Sequence, residues 1–162
     1  MSDDKARTPD FLALYEKYRN LDNGMQAQLR RIVEPDDLRD TPALYRLFNH
    51  ARPHDGWLRV VFLLPWCEDC GNSRRTSAPR FGRLLVDAGV SELRLFQVAH
   101  SHSPLDIIQL RRLAVMLKHP SVDWKNLGWL LYRSEPDGSW SQQSKRQLIE
   151  DYFVAQPALS DQ

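Results

Sequence analysis

An all-α fold is predicted by three observations on this 162-residue chain. Apolar residues recur almost everywhere at three- and four-residue intervals, the spacing of one helix face. Strict alternation over four or more residues is nearly absent. Helix-start signals, a Ser, Thr or Asp ahead of a proline or an apolar run, punctuate the chain.

The elements follow in order. Phe11, Leu14, Tyr15, Tyr18 and Leu21 set a first helix over Pro9–Leu21, and the turn Leu21–Gly24 is expected to stop it, since Asn and Gly tolerate the left-handed conformation of a helix end. Met25, Leu29 and Ile32 define the buried stripe of a second helix, with Arg30 and Arg31 on its flanks. Asp36 and Asp37 fall in the first turn after Pro35, where the helix dipole accommodates acids. Thr41–Pro42 reads as an N-cap with proline at the first helical position, opening a helix through Phe48. Trp57–Trp66 is too apolar for a surface element and is expected to be a buried central helix.

Pro65–Pro79 is polar and rich in Gly, Ser and Arg, a long loop of the kind that is functional or mobile. Helices are expected again over Arg80–Ala88, Ser91–Ala99, Ser103–Lys118, Asp123–Arg133 and Ser141–Ala155, with a frayed tail after Pro157. In the Ser103–Lys118 helix, Ser103-Pro104 with Asp106 reads as a start signal. Ile107, Leu110, Leu113, Ala114 and Leu117 form its buried face. The domain organisation expected is an N-terminal helical half (1–66), a variable loop (67–79), a C-terminal helical half (80–155) and the tail (156–162). A chain of this length buries enough surface to fold without disulfide or metal.

Composition removes several function classes. No run of about 18 uncharged apolar residues could cross a membrane, and the N-terminus MSDDKARTPD is too polar for a secretory signal, so a cytoplasmic protein is expected. Phosphate-binding glycine loops of either common type are missing. Asp36-Asp37, Asp40 and Glu150-Asp151 lie in no recognisable pocket, and His100-Ser101-His102 is not accompanied by a Cys or Ser in a strained nucleophile turn. One constellation stands out: His50 and His54, then Cys67 and Cys70, with twelve residues between the pairs. Two His and two Cys suit tetrahedral zinc. The intervening DGWLRVVFLLPW, however, is a helix in its own right, and the plainer expectation is a surface pair of reduced thiols. A zinc module or metal-dependent enzyme on these four residues is the alternative function, and no cofactor is expected otherwise.

The net charge of +1 conceals 17 arginines among 22 basic residues. Arg presents a planar fork of donors suited to phosphate. From Gly71 to Arg112 seven arginines face only Asp87, Glu92 and Asp106. Arg39 and Arg46 have acids close by and are expected to serve structure, whereas Arg74, Arg75, Arg80 and Arg83 have few.

The run LDNGMQAQLRRIVEPDDLRDTPALYRLF, Leu21–Phe48, resembles the small subunit of the type I-E CRISPR Cascade complex, the CasB family. Segments Leu58–Phe62, Arg94–Gln97, Gln109–Leu113 and Leu148–Phe153 follow in that family's order, while Pro65–Pro79 departs from it. The resemblance implies an all-α, non-catalytic subunit of a ribonucleoprotein, built of two small helical halves. The partners it implies are guide RNA and target DNA, the backbone and large subunits of the complex, and a second copy of itself, with no membrane. It carries nucleic-acid-binding roles onto Arg31, Arg52, Arg94, Arg112 and Lys145, with Arg30, Arg111 and Arg146 beside them. In such a complex sequence is read by base pairing, and the protein has only to hold backbones and so stabilise the R-loop.

Overall fold

Side-chain caps set most of the helix starts in a computed structural model that describes residues 9–157. The helices are α1 (Phe11–Asn20), α2 (Asn23–Arg30), α3 (Pro42–Leu47), α4 (Asp55–Leu63), α5 (Phe81–Asp87), α6 (Glu92–Ala99), α7 (Leu105–Met116), α8 (Trp124–Tyr132) and α9 (Gln142–Ala155), with short 3-10 turns between. Asp10, Asp22, Ser91 and Ser141 each accept the N–H three residues on, at 2.8–3.2 Å, and so satisfy donors that a helix start leaves bare. The all-α prediction holds, and the predicted helices fall within a few residues of the observed ones. The expected fraying past Pro157 lies outside the described residues. Among the described residues no helix is long and apolar enough to cross a membrane.

Three local expectations are corrected. Leu21–Gly24 does not end α1 with a left-handed residue. Leu21 is extended, and Asp22 caps α2, which begins at Asn23 and contains Gly24. Thr41 stands at the N-cap of α3, but its hydroxyl donates to the Asp37 carbonyl at 2.9 Å instead of capping. Asp106 lies in the first turn of α7 as expected, yet no side chain caps that helix, because Pro104, which offers no acceptor, occupies the cap position in place of Ser103; the Asp106 carboxylate is buried against Arg59.

α4 is the central helix. Leu58, Val60, Val61, Phe62, Leu63 and Leu64 are each no more than 2 % exposed, and α4 packs against α7, α8 and the Pro35–Asp40 3-10 turn. The one charge in this block, Arg59, is 3 % exposed. It donates to the Leu131 carbonyl (2.9 Å), the Gly138 carbonyl (2.6 Å) and the Asp106 carboxylate (3.0 Å), with Trp140 beneath its guanidinium at 4.9 Å. Asp106 accepts as well from the N–H groups of Trp140 and Ile107. A buried guanidinium is tolerated here because a carboxylate and two carbonyls, all bound through Nε and Nη1, replace part of the water it has lost, while Nη2 is buried with no partner among the described residues.

The segment Pro65–Pro79 is more ordered than its composition predicts, and it contains a strand where none was expected. Glu68–Asp69 (β1) pairs in parallel with Ser121–Val122 (β2), Glu68 opposite Ser121 and Asp69 opposite Val122. Asp69 then accepts from both terminal nitrogens of Arg75 (3.1 and 3.0 Å) and from the N–H groups of Gly71 and Trp124. Arg75 also reaches Asp123 at 2.7 Å. Arg75, read from the sequence as having few acids near it, is therefore the centre of a three-residue knot that pins the segment to the start of α8. Burial alone would push the Asp69 carboxyl up, but the hydrogen bonds from Arg75, Gly71 and Trp124 outweigh it and hold the group below the usual carboxylate range.

Candidate nucleic-acid interface

Six ion pairs among the described residues divide the arginines there into two sets. Arg39 pairs with Asp55, Arg59 with Asp106, Arg75 with Asp69 and Asp123, Arg80 with Asp151 at a loose 3.9 Å, and Arg83 with Asp87 at 3.8 Å. Arg39 thus serves structure as expected, additionally donating to the Pro53 carbonyl. Arg46 does not, since it is exposed and enters no ion pair with a described residue. Arg80 and Arg83, read from the sequence as having few acids close by, each have one at the edge of contact.

All eight residues singled out for nucleic acid fall in the other set. Among the described residues no carboxylate forms an ion pair with Arg30, Arg31, Arg52, Arg94, Arg111, Arg112, Lys145 or Arg146. Six of them are exposed, and Arg111 and Lys145 are half-buried. Their placement follows from the helices. Arg31 is the C-terminal cap residue of α2, and its neighbour Arg30 lies beside the buried Tyr18 hydroxyl. α7 presents Arg112 to solvent between the exposed Leu105, Val115 and Met116. Arg94 stands in the first turn of α6, and Lys145 and Arg146 in the first turns of α9.

The structure joins two of these groups. Arg111 turns inward, donates to the Ile32 carbonyl and lays its guanidinium 4.3 Å over Phe62. This contact ties α7 to the end of α2 and brings Arg31, Arg111 and Arg112 into one neighbourhood. Burial, and then the adjacent Arg112, lowers the Arg111 pKa from its ordinary value, and its contacts with Ile32 and Phe62 give Arg111 a structural part as well. Arg52 lies apart, in the groove between α1 and the α3–α4 connection, with Lys17, Asn49 and Trp57. Lys145 lines a different shallow groove with His102, Glu135 and Trp140.

The zinc constellation does not assemble. His54 caps the start of α4 and Cys67 follows the 3-10 turn at its far end, so a rigid rod of about 20 Å separates them, against metal–ligand bonds near 2 Å. His54 is committed elsewhere: Nδ1 accepts from the Gly56 N–H at 3.1 Å, which leaves Nε2 to donate to the Tyr132 hydroxyl at 2.5 Å. The expected surface pair of thiols is corrected too, for Cys67 is 1 % exposed within the core while Cys70 is half-buried. Burial pushes the Cys67 thiol well above the ordinary range. The two cysteines therefore respond differently to Ser. Cys67→Ser places an unpaired hydroxyl in an apolar site and is expected to lower unfolding free energy by about 1–3 kcal/mol. Cys70→Ser is expected to stay within about 0.5 kcal/mol of wild type in urea denaturation. Equal losses in both would revive a shared ligand role.

What the chain presents is thus a helical body whose surplus cations remain at its surface. No protein-family model matches the sequence. The CRISPR system Cascade subunit CasB of Escherichia coli (strain K12) is 35% identical over 156 residues, covering 90% of this chain and 93% of that protein. The crystal structure of E. coli Cascade bound to a PAM-containing double-stranded DNA target holds a chain that superimposes with a TM-score of 0.77 at 32% identity, covering 93% of this chain and all of that one. The chain belongs to the CasB family of Cascade subunits.

Sequence reasoning missed Arg59–Asp106, Asp69–Arg75–Asp123 and the cavity between α5, α8 and α9. The first had a readable signal: Arg59 is the lone charge in WLRVVFLL, a position that demands an acid from elsewhere.

Proposed function

We propose that this chain is the non-catalytic small subunit of a type I-E CRISPR interference ribonucleoprotein. It assembles with the backbone and large subunits and a second copy of itself around guide RNA and target DNA, in the cytoplasm. Its free cations hold nucleic-acid backbone and stabilise the R-loop, engaging the displaced strand and the guide–target duplex. The observation that carries the reading is the sorting of charge. Carboxylates of the chain take up Arg39, Arg59 and Arg75, and among the described residues none of the eight candidate cations is neutralised in that way. A guanidinium free of protein acids gains more from phosphate than one already paired, because nothing need be broken to make the contact. R-loop formation exchanges duplexes of similar stability, so a handful of backbone contacts is enough to tip it.

The test is Arg31→Ala, Arg94→Ala and Arg112→Ala together, in the assembled complex. Each phosphate contact contributes about 0.9 to the slope of log K against log salt for duplex DNA and about 0.7 for a single strand. The triple variant is expected to bind target DNA more weakly, with a slope shallower by about 2–3. A correctly assembled triple variant with unchanged affinity and slope overturns phosphate contact at these residues. Arg111 is left out because its inward contacts would mix a folding effect into the measurement.

A further inference from the structure

A cavity of about 180 Å³ lies between the start of α5, α8 and α9, and none of the cations assigned above is among its lining residues. It is too small for a ligand of drug size, whose sites begin near about 300 Å³, and suits a single flat ring or a small polar group. Its lining is polar in an ordered way. Ser144, 1 % exposed, is part of that lining, and its buried hydroxyl has no hydrogen-bond partner among the described residues. Asp151 accepts from the Gln147 amide at 2.9 Å through one oxygen, while its other oxygen has only Arg80 at 3.9 Å, beyond hydrogen-bond range. Burial raises this carboxyl, and Gln147 and Arg80 offset it only in part. A buried hydroxyl and a partly buried carboxylate oxygen, both under-partnered in one cavity, call for a ligand with N–H donors.

The mouth has the opposite character. Arg80 and Arg133 flank it, Arg80 half exposed and Arg133 exposed, and the Arg133 guanidinium is held 4.9 Å over the Trp129 ring. Donors are thus wanted inside and an anion at the rim, against an aromatic wall. A macromolecular anion of repeating phosphates carrying flat, N–H-bearing rings has this polarity, and an inorganic anion has only half of it.

We propose that this cavity receives one unpaired nucleotide, its base inside against Asp151, Gln147 and Ser144 and its phosphate between Arg80 and Arg133. The assignment rests on the reading of the chain as a nucleic-acid-contacting subunit, and an unpaired strand of an R-loop would supply such a nucleotide. Guanine is the favoured base, since its adjacent N1–H and N2–H groups match a carboxylate acceptor.

The full chain alone, titrated with GMP, AMP, CMP and inorganic phosphate and followed by NMR, tests this without reference to the complex. GMP is expected to shift the Trp129 indole and Gln147 side-chain amide signals saturably. Asp151→Asn should weaken GMP by about tenfold, ~1.4 kcal/mol, while leaving inorganic phosphate unchanged. Arg133→Gln should weaken both nucleotide and phosphate. Absence of saturable shifts with any nucleotide overturns the proposal, as does inorganic phosphate reproducing the GMP shifts and affinity, or Asp151→Asn binding GMP like wild type. Because Arg31, Arg94 and Arg112 take no part in this titration, their failure in the complex and the failure of this cavity are separate results.

Discussion

Asp106→Ala is expected to be among the most damaging single substitutions in this chain, lowering unfolding free energy by about 3–5 kcal/mol, measured by urea denaturation with a check for an unchanged m-value. The loss comes less from the missing attraction than from what remains. Arg59, 3 % exposed, would keep a full charge with only the carbonyls of Leu131 and Gly138 to solvate it. The Trp140 N–H loses its acceptor as well. Marginal stabilities of about 5–15 kcal/mol leave little room for such a change. Replacing both partners separates the two causes: Arg59→Met with Asp106→Leu removes the charge together with its counter-ion and should recover most of the loss. If the double variant is no better than Asp106→Ala alone, an uncompensated charge is not the reason, and the carboxylate's bonds to Trp140 and Ile107 are what matter.

Gly82→Ala is the second large effect, and here two magnitudes oppose each other. Ala is favoured over Gly inside a helix by about 1 kcal/mol. Against that, a Cβ at Gly82 would stand 2.5 Å from the Tyr152 nitrogen and 2.8 Å from the Asp151 carbonyl carbon. These are main-chain atoms of α9 and cannot swing aside as a flexible side chain would. The only relief is separation of α5 from α9, which breaks the contacts of Phe81, Leu85, Leu148 and Tyr152 in the core. The net change is expected to be a destabilisation of about 1–3 kcal/mol, with overpacking outweighing propensity. Unchanged or raised thermal stability would mean that α5 and α9 can slide past one another at no penalty.

Much of the fold was legible because helices announce themselves locally. The spacing of Phe11, Leu14, Tyr15 and Tyr18 and the caps at Ser91 and Ser141 are properties of neighbouring residues, and the structure keeps them. What could not be read depends on residues far apart in sequence. Nothing near Arg75 indicates Asp123, 48 positions on. The strand at Glu68–Asp69 exists only because Ser121–Val122 lies alongside, and an isolated two-residue strand has no periodicity to detect. The same holds for charge. Arg75 and Arg112 look alike in the sequence, each following another arginine, yet one is tied to two carboxylates and the other stands in solvent. The stop expected at Asn23-Gly24 failed for a different reason: Asp22 offers a cap, and the next helix took up residues whose composition suggested a turn.

The bonds of Arg59 also govern when folding can be completed as the chain is made. Its acceptors at Leu131 and Gly138 lie 72 and 79 residues downstream, and Asp106 lies 47 downstream. A nascent chain that has released α4 but not α8 carries a strongly apolar helix with an unanswered guanidinium in its middle. Such a segment cannot bury itself in a native arrangement, however well its helices form locally. Domains fold as units as they emerge at about 5–20 residues per second. For this chain the interval between α4 and the Gly138 turn is therefore a window of several seconds, in which the most hydrophobic stretch depends on being shielded by other means. The same guanidinium that completes the finished core thereby delays its closure until the Gly138 turn has been synthesised.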